Sequence, residues 1–216
     1  MKKHANPAPV SDEQVHALLE RYACPIPFHE VRTRFLGNIA TPIMSASPLK
    51  MVGDLWGGEL PELETIDAAN ELIGALVAGL WNRLTQHQER AAPFRLTRTE
   101  TDATRKGLAA LALMRRQELN GFIEGLFGQE EVVDFPERAH RGLDSLGEMR
   151  ALFAAVVDVA TDETKPGTLK DMETTLRHML EMTKNTEHEM HAIVLSCKRA
   201  RKHMLAALPA KKPTMH

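Results

Sequence analysis

Cysteine and aromatic residues are scarce in this chain of 216 residues. The two cysteines, Cys24 and Cys197, exclude a disulfide scaffold and any four-cysteine metal site. Two Trp, one Tyr and seven Phe stand against 11 Met and many Ala and Leu. That balance disfavours a β-sandwich or barrel, which draws on aromatic and β-branched residues. No apolar run reaches the roughly 18 residues of a membrane span. The basic start Met1-Lys2-Lys3-His4 leads into Asn6-Pro7-Ala8-Pro9 and not into an apolar stretch, so it does not read as a signal peptide. A cytoplasmic protein with no membrane association is expected. Hydrophobic residues make up 43% and charged residues 26%, which is enough for a core and excludes disorder throughout.

An excess of one charge is also lacking, with a formal net charge of −2. The total hides an asymmetry. From Cys197 on, Lys198, Arg199, Arg201, Lys202, Lys211 and Lys212 face no acidic residue, so an end of +6 closes a body of −8. A basic end can touch nucleic acid or an acidic partner. The stronger reading is that it offsets a helix dipole or forms a solvated tail, because it lacks the aromatic interleaving of single-strand binders.

The apolar residues recur with a helical period, and no convincing period-2 run stands out. Ser11 and Gln14 have capping-box spacing ahead of Val15, Leu18, Leu19 and Tyr22. Cys24-Pro25-Ile26-Pro27 ends that helix. A second helix runs from Phe28 to Thr41-Pro42. Ser47-Pro48 reads as an N-cap followed by Pro at the first helical position, opening a short helix that Gly57-Gly58 stops. Thr65 and Asp67 open a long fourth helix to about Gln88, with the stripe Ile66, Ile73, Leu76, Val77, Leu80 and Leu84; Gly74 and Ala78 suit a close backbone approach, whereas Gly79 needs none. The fifth helix is expected from Thr99, Glu100 and Asp102 to Phe127, with an interruption near Asn120-Gly121. Ser145 and Glu148 form a second capping box for the sixth. The last helix starts near Thr168 and reaches about Leu208, with a break around Asn185. The expected fold is all-α: about seven helices in a single compact domain, the last one long with a basic end.

Several features between His29 and Gln88 share an order: Phe35-Leu36-Gly37, Thr41-Pro42, Leu55-Trp56-Gly57, the acidic linker from Glu59 to Glu64, and Trp81-Asn82. Gly121-Phe122-Ile123-Glu124-Gly125 follows further on. In this order they resemble the YecA/YgfB-like family of bacterial helical proteins over roughly residues 29–128. The Gly-Phe-Leu order of the family is altered here to Phe-Leu-Gly, and no Cys/His tail follows Cys197. The resemblance implies an all-α fold and protein–protein interaction in preference to catalysis. With the helical pattern alone beyond about Glu130, the chain is expected to divide into a flexible N-terminus (1–10), a YecA/YgfB-like helical region (11–128), C-terminal helices (129–208) and a basic tail (209–216).

Three constellations carry chemistry. His178, Glu181, His188 and His191 are metal-ligand types at helical spacings. The spacing of His188 and His191 is not that of the His-Glu-x-x-His motif. A helical wheel sets Glu181 and His188 beside Arg177 and Lys184, away from the stripe of Met172, Leu176, Met179, Met190, Val194 and Cys197, which favours a solvated face. Arg115 and Arg116, with Lys198, Arg199, Arg201 and Lys202, are the candidate basic surface. Intrahelical pairing of Arg115 with acids such as Glu118 competes with that role. Cys24 and Cys197 lack a positioned base, and no Gly-x-Ser-x-Gly or phosphate-binding loop is present. No catalytic residue or cofactor is implied. The expectation is a non-enzymatic protein-interaction or regulatory module whose partner is another protein, self-association being compatible with the pattern. The alternatives are a nucleic-acid-associated protein using the basic end and a helical metal protein using the His/Glu set.

Overall fold

The computed structural model describes residues 10–162, 164 and 167–207. The N-terminal segment before Val10 and the basic tail with Lys211 and Lys212 lie outside them. The fold is all-α, with seven helical elements among the described residues: α1 (Asp12–Arg21), α2 (Phe28–Ala40), α3 (Pro48–Asp54), α4 (residues 66–88), α5 (Arg105–Phe127), α6 (Glu137–Thr161) and α7 (Leu169–Ala207). No helix among the described residues is long and apolar enough to cross a membrane.

Local chemistry sets the helix starts. The Ser11 hydroxyl accepts from the Gln14 N–H, and the Gln14 side chain accepts from the Ser11 N–H at 2.9 Å, completing the capping box of α1. Ser47 caps α3 with Pro48 at its first position, and Thr65 caps α4. Gly128 stops α5 with φ of 59°, a conformation that favours glycine.

Four expectations change. α5 starts at Arg105, capped by Thr104, and not at Thr99. Residues 93–102 lie outside any helix instead, burying Phe94 and Leu96 while Arg95 and Arg98 are exposed. α5 is also continuous through Gly121, because that glycine serves packing and does not break the helix. α6 starts at Glu137 behind Pro136, so Ser145 and Glu148 lie inside it. α7 has no break at Asn185.

α4 has its own solution. Leu72, Leu76, Leu80 and Leu84 recur every four residues, and each step drifts about 40° around an α-helix of 3.6 residues per turn. Residues Gly74–Trp81 form a π-helical stretch with more residues per turn, which takes up the drift and keeps all four leucines buried. Gly79 meets Val10, where a Cβ would stand 2.8 Å from the Val10 Cβ; Gly74 has open space, the reverse of the expectation. Ile66 is not part of the stripe and is 80% exposed.

α2 and α5 share the most extensive interface. They cross backbone to backbone at glycines: a Cβ on Gly125 would lie 2.0 Å from the Arg34 carbonyl oxygen, and one on Gly37 2.2 Å from that of Phe122. Phe35, Leu36, Phe122 and Leu126 fill the space around the crossing. α6 packs on α5, and α7 packs on α6 and returns to touch α2, α5 and the end of α4.

Candidate interaction groove

The basic residues separate into an interior set and a surface set. Arg115 is 2% exposed and is not part of a basic surface. Its guanidinium pairs with Glu118, donates to the Thr183 hydroxyl at 3.2 Å and donates to the Thr97 carbonyl at 2.7 Å. Burial demands these partners, since an ionised group away from water is costly unless paired and hydrogen-bonded. Glu118 in turn accepts from the Thr97 N–H at 2.7 Å, and buried Glu187 accepts from the Leu96 N–H at 3.0 Å and pairs with Arg95 at 2.7 Å. Two carboxylates thereby satisfy adjacent backbone N–H groups of this non-helical segment. Arg116 is half-buried on α5 and lines no groove with the C-terminal cations.

The C-terminal cluster does build a site, together with residues far away in sequence. Lys198 and Arg201 are tied to the C-terminal end of α4. Lys198 Nζ donates to the Gln88 carbonyl at 3.2 Å and pairs with Glu89 at 2.7 Å, and Arg201 donates to the Gln88 side chain at 3.2 Å. Cations at a helix C-terminus satisfy its free carbonyls and offset its dipole. This docking opens a groove of about 490 Å³ between the end of α4, Arg138 at the start of α6, and α7. Half-buried Ala192 and Leu195 lie along it. Arg90, Arg199 and Lys202 stand exposed on its rim, with no ion pair among the described residues. Arg138 joins them, paired with Glu189 at 2.8 Å. The arrangement offers aliphatic contact and a cationic rim. Sequence reasoning finds Lys198, Arg199, Arg201 and Lys202 but misses Arg90 and Arg138, because only tertiary packing brings those two to α7.

The His/Glu set is not assembled. His178 and Glu181 stand ten residues before His188 and His191, about 15 Å along the helix. Glu181 pairs with Lys184 at 3.2 Å, His178 and His188 are exposed, and His191 turns inward with both ring nitrogens shielded and with no hydrogen-bond partner among the described residues. Among the described residues no group of three or more His, Cys, Asp or Glu side chains is placed to hold a metal ion. The inward turn puts His191 near His87, whose Nδ1 donates to the Ala92 carbonyl at 2.8 Å and whose ring meets Phe94 edge-on. Burial, with Arg32 and His191 nearby, pushes His87 below the ordinary histidine range.

Neither thiol is activated. Burial raises the Cys24 thiol, and it pushes that of Cys197 up to about 12. A second groove, of about 500 Å³, runs between α5, α6 and α7 and is lined by Leu152, Val156, Val159, Met172, Met179 and Met182. Compared with models of known protein families, with curated proteins and with solved structures, the chain matches none.

Proposed function

We propose that this chain is a cytoplasmic, non-enzymatic interaction or regulatory module of the YecA/YgfB-like kind, and that it binds an acidic, aliphatic protein segment in the groove at the end of α4. The observation that carries this reading is the meeting of three cations, unpaired among the described residues, from two distant parts of the chain around an aliphatic surface. Cations on a rim steer an acidic partner, and an apolar contact beneath them supplies a desolvated anchor. The resemblance of residues 29–128 to a family associated with protein interaction supports the same class. Nucleic acid is the second reading, favoured by the same cations. The groove is lined by no aromatic side chain on which a base would stack, which makes it the weaker one.

Wild-type chain and the variant Arg199→Glu/Lys202→Glu, used as parallel baits in nuclease-treated native lysate, test the reading. A protein retained by the wild type and lost from the variant is the expected outcome. Equal capture by both baits, or capture that nuclease abolishes, rejects it.

A further inference from the structure

We propose that the acidic segment this groove takes is residues 59–67 of a second copy of the same chain, so that copies associate head to tail through the two ends of α4. The inference rests on the groove reading above and names its partner. The chemistry of this loop mirrors that of the groove. Glu59, Glu62, Glu64 and Asp67 carry four negative charges, all exposed and none in an ion pair among the described residues. Between them Leu60 is 43% exposed and Ile66 80% exposed. The groove presents the converse, with Arg90, Arg199 and Lys202, unpaired among the described residues, around Leu195 and Ala192. Acids meet bases and exposed aliphatics meet an aliphatic surface, the combination that gives a contact both steering and a dry centre.

Geometry makes the contact intermolecular. The loop enters α4 at residue 66, and the groove is built on its far end at residue 88. A helix of that length separates them by about 30 Å, so one copy cannot fill its own groove with its own loop. Each copy instead carries one acidic end and one basic end, unlike surfaces that meet head to tail. A heterologous contact of this kind leaves a free loop at one end of the pair and a free groove at the other, and growth continues until a ring closes or a filament forms. Contacts between exposed charges are screened by salt, so the association is strongest at low ionic strength.

Sedimentation equilibrium of the whole chain, at low and at high salt, measures this. The expected result is a mass rising with concentration above the 24.1 kDa of one chain, with association weakened at least about tenfold by high salt. Two variants with exposed substitutions, Arg199→Glu/Lys202→Glu in the groove and Glu62→Lys/Glu64→Lys in the loop, are each expected to be monomeric, with unchanged helical circular dichroism. An equimolar mixture of the two is expected to associate again, because the reversed loop of one meets the reversed groove of the other. Wild type that stays at the mass of one chain throughout overturns the proposal, as does association that survives in either variant or a mixture that stays monomeric. A labelled peptide of residues 58–67 and a single-stranded DNA oligonucleotide, each titrated into the wild type, separate the levels. Peptide binding by a chain that stays monomeric overturns head-to-tail assembly and leaves the groove reading standing. DNA binding with no peptide binding overturns both.

Discussion

Replacing Gly125 by alanine places a methyl group where two backbones already touch. Its Cβ would stand 2.0 Å from the Arg34 carbonyl oxygen, 2.9 Å from the Arg34 carbonyl carbon and 3.0 Å from the Asn38 nitrogen. Favourable separations are about 3.5–4.0 Å between carbon atoms, so the nearest contact is about 1.5 Å too short. All three neighbours are main-chain atoms, and no rotamer relieves the clash. α2 and α5 have to part, opening the packing of Phe35, Leu36, Phe122 and Leu126. Overpacking costs about 1–3 kcal/mol, occasionally more, and a clash against backbone belongs at the upper end. Alanine returns about 1 kcal/mol through its better helix propensity. The net destabilisation is about 2 kcal/mol or more, a fall in Tm of about 4–8 °C for a domain of this size. Gly147 is the internal control, since it lies inside α6 with open space where a Cβ would go. Gly147→Ala should gain about 0.5–1 kcal/mol. Thermal and urea unfolding of both variants provide the assay. If Gly125→Ala is as stable as wild type, or both variants shift in the same direction, the backbone-contact account of the α2–α5 crossing is wrong.

Arg115→Met should cost about 3–5 kcal/mol, because it leaves Glu118 charged, buried and unpaired. The double variant Arg115→Met/Glu118→Leu should recover at least about 1 kcal/mol of that loss in urea unfolding, and a double variant weaker than the single one contradicts the role given to the pair. The fold holds His87 below its ordinary pKa, so the unfolded chain takes up a proton there that the folded chain resists. The His87 contribution is therefore complete above the unfolded pKa of about 6.5 and is lost as pH falls below it. His87→Asn should flatten the decline in the urea midpoint between about pH 7 and pH 5; an unchanged slope would show that His87 titrates normally. Cys197 should resist a thiol reagent in the folded chain and react as urea unfolds it, and labelling of native protein at the rate of a free thiol would contradict its burial.

Fold class was legible in the sequence because helical periodicity and capping chemistry are local signals. Ser11 with Gln14, Ser47 with Pro48, and Thr65 each act within one turn of the chain, and each caps the helix expected of it. The misreadings arise where a residue answers to a distant neighbour. Gly121 suggests a break when α5 is read alone; against α2 it is the only residue that fits beside the Glu30 carbonyl, where a Cβ would stand 2.5 Å away. Ser145 and Glu148 have capping spacing, yet Pro136 starts the helix a full two turns earlier. The alternation of Phe94, Arg95, Leu96, Thr97 and Arg98 is a period-2 signal hidden by its short length, and carboxylates from α5 and α7 accept from the N–H groups of Leu96 and Thr97 in this non-helical segment. Arg115 divides the local from the tertiary most sharply. Its pairing with Glu118 follows from a spacing of three residues, whereas its burial depends on the segment around Thr97 and on Thr183 of α7. Charge type was thus readable from the chain but charge location was not. The candidate groove has the same character: three of its cations, Lys198, Arg199 and Lys202, sit within a few residues on α7, and Arg90 and Arg138 reach it only because Lys198 and Arg201 fasten α7 to the end of α4.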